Sequence, residues 1–250
     1  AAGRLSAVSC LVNGVHWADG ALLLRGMPAD VDLGLHFNLT EGRPQSAELA
    51  HVWPQLPALP RLIAMAHLRR VPRAAIRAEL EAQLGAFGVS VGRAPRFIDG
   101  HQHVHHLPGV RSILLDAVAR MQPKPAVRNT GHVLGPAYGV KRTLIERTGG
   151  RALARELMRR GIAHNAALTG VYDFEAPHYR VLMQRWLAEV GSEGALLFCH
   201  PGAPAKARAS DPIAAARLRE FAYLRSADFG ADLAASGFTL GPVWRDAATA

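Results

Sequence analysis

Cysteine is scarce in this 250-residue sequence, which contains only Cys10 and Cys199. That scarcity excludes a small scaffold held together by disulfide bonds. The sequence also lacks a run of 18 or more apolar residues, so no membrane-spanning helix is expected. We recognise no secretory signal peptide, and a cytoplasmic protein is the simplest expectation. Because the chain does not begin with methionine, we expect the natural start to lie upstream.

Acidic residues are also few. There are 20 Asp and Glu residues against 29 Lys and Arg, giving a formal net charge of +9 at pH 7. A nucleic-acid-binding surface is one interpretation of this charge. The arginines, however, are spread over several predicted helices and form no stripe interleaved with aromatic side chains. We therefore expect no nucleic-acid partner. With 49% hydrophobic residues, the chain is expected to fold as a single domain over residues 1–250.

Short apolar segments alternate with helical patterns along the chain, which is typical of an α/β fold with a parallel sheet. Strands are predicted within residues 5–14, 31–40, 96–104, 126–130, 194–202 and 238–244. A (β/α) barrel and an open doubly wound sheet both fit this alternation. In a barrel, functional side chains lie at the carboxyl ends of the strands. The potential ligands at or just after such ends are Asn13, His36, His101 and His200.

Helices are predicted within residues 73–87, 109–121, 151–161, 211–226 and 229–237. The first of these is amphipathic, and its apolar face carries Ile76, Leu80, Leu84 and Phe87. Gly88 is expected to end it. In the helix over 211–226, Asp211 is expected at the N-cap and Pro212 at the first helical position.

The stretch "RFIDGHQHVHHLPGV" (96–110) contains four histidines. Residues two apart on a strand share a face, so Asp99, His101, His103 and His105 are expected to point the same way while the strand lasts. Imidazole nitrogens are good ligands for divalent metals such as zinc, and a neighbouring carboxylate commonly fixes their tautomer. A metal site is therefore favoured over a group of surface or core histidines.

Three further residues are candidates. His36, in "GLHFNLTEG", ends an apolar strand, although a histidine in such a position is more often part of the core. His200, in "LLFCHPG", lies at a rigid turn, which suits a group that transfers a proton. Arg128, in "AVRNT", is expected to steady a carboxylate or a sugar, and a surface arginine is an equally good interpretation.

Five segments together resemble the YdjC-like carbohydrate deacetylases, a family that includes chitooligosaccharide deacetylases and a hopanoid-biosynthesis deacetylase. The segments are "GRLSAVSCLVNG", "GLHFNLTEG", "FIDGHQHVHHLPGV", "LLFCHPG" and "FGADLAASGFTLGPVWRD". The resemblance implies a distorted (β/α) TIM-like barrel with one divalent metal ion, Mg or Zn. It further implies a hydrolase that removes N-acetyl groups from an amino sugar or glycoconjugate.

Residue by residue, the resemblance implies that His36 and His101 are metal ligands. His200 matches the family's His-Pro histidine near the site, and we predict that it is the catalytic acid or stabilises the oxyanion. Asp99, His103 and His105 match the surrounding motif. Asn13, His103, His105 and Arg128 are predicted to bind substrate or support the site.

The family pattern also opens with a strand ending in Asn-Ala-Asp-Asp-Phe-Gly, which this chain lacks. In the family, one of those aspartates completes the metal site and the other is the expected base. We therefore expect a barrel without its first strand and a weakly held metal ion, since two imidazoles suit Mg²⁺ poorly and Zn²⁺ usually wants a third protein ligand. Turnover is expected to be poor unless another acid acts, and Asp99 is the nearest candidate in sequence.

Two alternatives remain open. The Asp-x-His-x-His pattern at 99–103 also resembles the strand that opens an amidohydrolase barrel, which would make the protein a different metal-dependent hydrolase. The absent aspartates instead favour a catalytically inactive homologue that binds a sugar or a nucleic acid.

Overall fold

Two parallel sheets form the framework of the computed structural model, which describes residues 3–135, 138–204 and 211–245. The first sheet has the strand order β1-β2-β3-β4, and its strands are β1 (Ala7–Cys10), β2 (Asp32–Phe37), β3 (Phe97–Gly100) and β4 (Ala126–Val127). The second sheet pairs β5 (Leu168–Thr169) with β6 (Leu196–Leu197). The predicted mixed α/β fold with parallel strands is therefore confirmed.

Helices connect the strands. They are α1 (Trp17–Leu24), α2 (Ala47–Val52), α3 (Leu59–His67), α4 (Arg73–Val91), α5 (Val110–Val118), α6 (Gly139–Ile145), α7 (Arg151–Arg160), α8 (Tyr179–Glu189), α9 (Ala214–Arg225) and α10 (Ala227–Ala235). A 3₁₀ segment, His101–His106, follows β3, and a π-helical turn, Glu146–Gly150, joins α6 to α7.

The register of the first sheet brings distant parts of the sequence into one row. His36 on β2 lies opposite Asp99 on β3, and Ile98 lies opposite Val127 at the end of β4. Arg128 therefore follows β4 beside Asp99. Since all four strands run in the same direction, their carboxyl ends meet at one edge of the sheet.

Two large apolar clusters stabilise the fold. The first packs the main sheet against α3, α4 and α5, and its fully buried members include Leu35, Phe37, Ile76 and Ile98. Each such side chain contributes roughly 1.5–3 kcal/mol when it is removed from water. The second cluster is largely aromatic, packs around α8, α9 and α10, and includes Tyr172, Tyr179, Trp186 and Tyr223.

Several predicted boundaries are wrong. The helix that begins at Arg73 continues through Gly88 to Val91 and ends at Gly92, whose φ of 81° is left-handed. Interior packing outweighs the low helix propensity of Gly88. The strand predicted from 96 ends at Gly100, because the chain turns sharply there.

The helix predicted from Asp211 begins at Ala214, and the Asp211 carboxylate instead accepts a hydrogen bond from the Ile213 N–H at 3.0 Å. No strand forms over the described residues 238–244; the adjacent Arg245 makes an isolated bridge with His164.

The described strands do not form a closed ring. A single bridge, Val133 with Leu168, links the region after β4 to β5, and no ladder joins β6 to β1 within 3–135, 138–204 and 211–245. The TIM-like barrel, the missing first strand and the single domain stay predictions. No helix among the described residues is long and apolar enough to cross a membrane, and the cytoplasmic location also stays a prediction.

Candidate active site

The four histidines after β3 do not share one face. His101–His106 form a 3₁₀ segment, hereafter the histidine turn, in which Gln102 and His103 have left-handed φ values of 50° and 63°. Gly100 permits this turn, because a Cβ there would lie 2.7 Å from the His105 backbone nitrogen. The prediction that Asp99, His101, His103 and His105 point the same way is therefore wrong. The period of two ends where the strand ends.

A buried ionic chain runs through Asp99, which is only 3% exposed. Its Oδ1 lies 2.6 Å from His36 Nδ1 and accepts a 2.5 Å hydrogen bond from the Ser9 hydroxyl. Its Oδ2 lies 2.7 Å from Arg128 Nη1. Arg128 also donates to the Gly100 carbonyl at 2.7 Å, so both oxygens of the carboxylate are occupied.

These contacts decide the charge of Asp99 and the tautomer of His36. Burial alone would raise the pKa of the Asp99 carboxyl, but Arg128 and His36 hold that pKa well below its usual range. An ionised Asp99 accepts the His36 Nδ1–H. The lone pair on His36 Nε2 is then directed away from Asp99 and towards His101.

His101 faces that lone pair. Its Nδ1 lies 3.4 Å from His36 Nε2, and the two rings meet edge to face with centroids 5.3 Å apart. Burial is the main cause that lowers the pKa of His101 to about 4, so its imidazole is neutral at pH 7. His101 Nε2 lies 3.0 Å from an oxygen of the exposed Glu41, but it lacks an aligned hydrogen-bond partner among the described residues.

The His36–His101 pair fits part of a metal site. Two imidazole nitrogens bound at about 2.1 Å to a tetrahedral zinc ion are about 3.4 Å apart. His36 Nε2 and His101 Nδ1 have the same separation, which is also within hydrogen-bond distance. Across 3–135, 138–204 and 211–245, no group of three His, Cys, Asp or Glu side chains is arranged to hold an ion. The two histidines therefore fit as two ligands of a metal ion. The residues that the structure describes do not supply the remaining ligands.

His103 and His105 turn towards Arg128. His103 Nδ1 lies 3.3 Å from Arg128 Nη2, and its ring packs edge-on against Phe198. His105 Nε2 lies 2.9 Å from the Arg128 carbonyl oxygen and donates to it. Burial first, and then the charge of Arg128, lowers the pKa of His105 to about 3 and that of His103 well below its usual range. Both residues contact Arg128, and their role in supporting the site or binding substrate stays a prediction.

His200 follows β6 and is held by its own backbone. Its N–H donates to Glu220 and its carbonyl accepts from Arg217 at 3.2 Å. The imidazole lies edge-on to Phe174 and Phe198, with ring centroids 5.3 Å and 5.6 Å away. Its Nδ1 is buried and has no hydrogen-bond partner among the described residues. Burial, and then the charge of Arg217, lowers the pKa of His200 to about 3.

Asn13 braces the loop after β2. Its amide donates to the Arg43 carbonyl at 3.2 Å and accepts from the Asn38 amide at 3.0 Å. Asn38 also donates to the Glu41 carbonyl at 2.7 Å, so the two asparagines fix the loop that carries Glu41. This agrees with a supporting role, and substrate binding by Asn13 stays a prediction.

Sequence reasoning missed several residues that shape the site. Ser9 bonds Asp99 across 90 positions of sequence, and Glu220 bonds His200 across 20. The His106 ring is held between the hydroxyls of Thr130 and Thr148, at 2.9 Å and 3.0 Å. Only His106 carried a signal in the sequence, as the fourth histidine of its cluster.

The fold and the site together define a mixed α/β protein whose histidines and carboxylates meet at the carboxyl ends of parallel strands. The profile of the YdjC-like protein family matches residues 1–235, and the chain belongs to that family. It is similar to the carbohydrate deacetylase of Mus musculus, with 33% identity over 223 residues that cover 81% of this chain and 71% of that protein.

Two other proteins extend the comparison. The chitooligosaccharide deacetylase of Serratia marcescens is 29% identical over 241 residues, which cover 96% of this chain and 87% of that protein. Among solved structures, an Enterococcus faecalis V583 protein named for cellobiose-phosphate cleavage superposes with a TM-score of 0.69. That superposition covers 99% of this chain and 88% of the other, and at 16% identity it shows the fold alone.

Proposed function

We propose that the protein is a metal-dependent carbohydrate deacetylase that removes N-acetyl groups from an amino sugar or glycoconjugate. The observation that carries this proposal is the pair of His36 and His101, 3.4 Å apart and oriented by the ionised Asp99. The names of the mouse and Serratia relatives supply the substrate class.

His36 and His101 are the residues that would hold the ion, as Zn or Mg. When bound, a divalent metal polarises the acetyl carbonyl and lowers the pKa of a water molecule beside it. Zinc suits these nitrogen ligands better than magnesium, which prefers oxygen. Asp99 keeps His36 in the required tautomer, and Arg128 keeps Asp99 ionised.

Asp99 is a poor choice for the base that deprotonates water. Both of its oxygens are occupied, and a carboxyl with a strongly depressed pKa is a weak base. Glu41 is the better candidate, because its carboxylate is exposed and lies 3.0 Å from His101 Nε2. We therefore propose Asp99 as an orienting group and Glu41 as the base.

His200 stabilises the oxyanion. With a pKa of about 3 it is neutral at pH 7, so it acts as an N–H hydrogen-bond donor and not as an imidazolium acid. Because an amide anion is a very poor leaving group, the departing nitrogen needs a proton, and Glu41 supplies the one that it takes from water. Phe174 and Phe198 keep its ring away from bulk water, which strengthens such a hydrogen bond.

The two alternatives are less favoured. An amidohydrolase site needs the first and second histidines of Asp-x-His-x-His to converge, but His103 turns to Arg128 while His101 faces His36. An inactive binding homologue accounts for a pair of histidines without a third ligand. It does not by itself account for the buried pair of Asp99 and Arg128, which fixes the tautomer of His36.

Acetate release from N,N′-diacetylchitobiose tests the proposal. We expect chelator-treated protein to release acetate only after Zn²⁺ or Mg²⁺ is restored, and H36N and H101N to abolish release. H51N, which changes an exposed histidine on α2, is the matched control and should retain activity. Metal-independent release would contradict metal dependence. If the unsubstituted protein releases no acetate from chitooligosaccharides or other N-acetyl sugars with either metal, it is a binding homologue rather than a deacetylase.

A further inference from the structure

A buried carboxylate lies behind His200. Glu220, on α9, is 0% exposed, and it has no ion-pair partner among the residues that the structure describes. One of its oxygens accepts a 2.5 Å hydrogen bond from the Tyr172 hydroxyl, and the other accepts from the His200 N–H. It thereby joins α9, the segment after β5 and the turn after β6.

Such a group is costly for stability alone. Burial raises the pKa of Glu220, which shows that its surroundings disfavour the charge. A well-packed apolar side chain in its place would commonly be as stable or more stable. Fully bonded buried polar groups do, however, fix geometry tightly, because moving either partner leaves a buried atom unsatisfied.

Helix α9 holds both backbone polar groups of His200. Glu220 accepts from its N–H, and Arg217, three residues earlier and therefore on the same side of the helix, donates to its carbonyl at 3.2 Å. Arg217 is itself fixed by Asp211 at 2.6 Å. Both backbone polar groups of His200 are hydrogen-bonded, whereas Nδ1 of its ring is buried and has no hydrogen-bond partner among the described residues.

We propose that Glu220 is the positioning residue for His200: it fixes the His-Pro turn and so keeps the imidazole between Phe174 and Phe198. Tyr172 completes this arrangement by fixing the second oxygen of Glu220. The turnover part of the proposal rests on the deacetylase function, and the geometric part does not.

The matched variants are E220Q, Y172F and Y223F. Gln cannot accept hydrogen bonds from both donors at its amide nitrogen and oxygen, and Y172F removes one donor while leaving Glu220 in place. Y223F is the control, because Tyr223 belongs to the same aromatic cluster and donates to the buried Asp232 at 2.8 Å, with no bond to His200. All three remove a buried hydrogen bond to a carboxyl group, so their costs to stability should be comparable.

With N,N′-diacetylchitobiose, we expect kcat to fall about tenfold in E220Q and less in Y172F, with KM nearly unchanged, because a misplaced donor weakens the transition state more than substrate binding. Y223F should lower the melting temperature similarly and leave kcat within about twofold. Equal losses of kcat in E220Q and Y223F would overturn the proposal. Y172F covers the case in which E220Q does not fold.

Hydrogen exchange at the His200 amide separates this inference from the deacetylase function. Glu220 should protect that amide, so exchange should be about tenfold faster in E220Q than in Y223F. If the unsubstituted protein releases no acetate, the deacetylase proposal fails, and amide exchange alone decides the positioning role. Equal exchange in E220Q and Y223F, or faster exchange with an unchanged kcat in E220Q, would refute it.

Discussion

Replacing Arg128 with methionine removes the cation that compensates Asp99. Methionine fills much of the same volume, so the main loss is electrostatic. Arg128 is 4% exposed and Asp99 3%, so water cannot replace the lost partner. Besides the 2.7 Å contact with Asp99, the change removes the hydrogen bond to the Gly100 carbonyl at the base of the histidine turn.

The expected loss is large. Removing one partner of a buried ion pair typically costs about 3–5 kcal/mol, because the remaining charge stays buried without compensation. In a domain of this size each kcal/mol lowers the melting temperature by about 2–4 °C, so R128M should melt about 10 °C lower. Adding D99N removes the stranded charge, and the double variant should recover part of the loss.

Urea unfolding at pH 7, followed by circular dichroism, measures the free energy of unfolding for R128M, D99N and the double variant. R159M is the control, since Arg159 is 63% exposed and pairs with Glu156 on the helix surface. That pair is exposed to water and should contribute little to stability. The reasoning is refuted if R128M costs no more than R159M, or if the double variant is as unstable as the sum of its two single changes.

Three further predictions concern metal, substrate and backbone. Calorimetric titration with Zn²⁺ should show weak one-to-one binding that H36N abolishes and H51N leaves intact, because the described residues supply two ligands; tight binding would contradict this. F174A should raise the KM for N,N′-diacetylchitobiose several-fold while F174Y does not, because the half-buried ring next to His200 offers an apolar face to a sugar. Equal KM values for F174A and F174Y would argue against contact between this ring and the sugar. In urea unfolding, G149A should destabilise the protein by more than about 2 kcal/mol, because the added Cβ would collide with a carbonyl of the histidine turn. G85A, in open space inside α4, should stabilise it by about 0.5–1 kcal/mol. Similar effects of the two substitutions on the free energy of unfolding would contradict this packing.

The sequence predicted the elements that depend on local pattern. The apolar strands around residues 7–10 and 32–37, the amphipathic helix from Arg73 and the helix ended by Gly161 were all predicted from periodicity and end signals. The placement of His36 and His101 at strand ends followed from the same patterns. The role of each in holding an ion stays a prediction.

The partners of those residues could not be read from the sequence. Ser9, His36 and Asp99 are 27 to 90 positions apart, and only the parallel register brings them together. Glu220 lies in the helix predicted over 211–226, and nothing local indicates that its carboxylate holds the His200 backbone. Such contacts depend on how helices and strands pack, and local propensity does not determine that packing.

The histidine-rich stretch separates what the sequence determines from what the tertiary structure determines. By itself the sequence determined that four histidines and one aspartate follow a buried strand, because composition and apolar patterning are local properties. The tertiary structure decided that the strand ends at Gly100. From that point the turn directs His101 to His36, and Asp99 pairs with Arg128. His103 and His105 contact Arg128 as well. The direction of a side chain depends on the residue at which the strand stops, and long-range packing sets that residue.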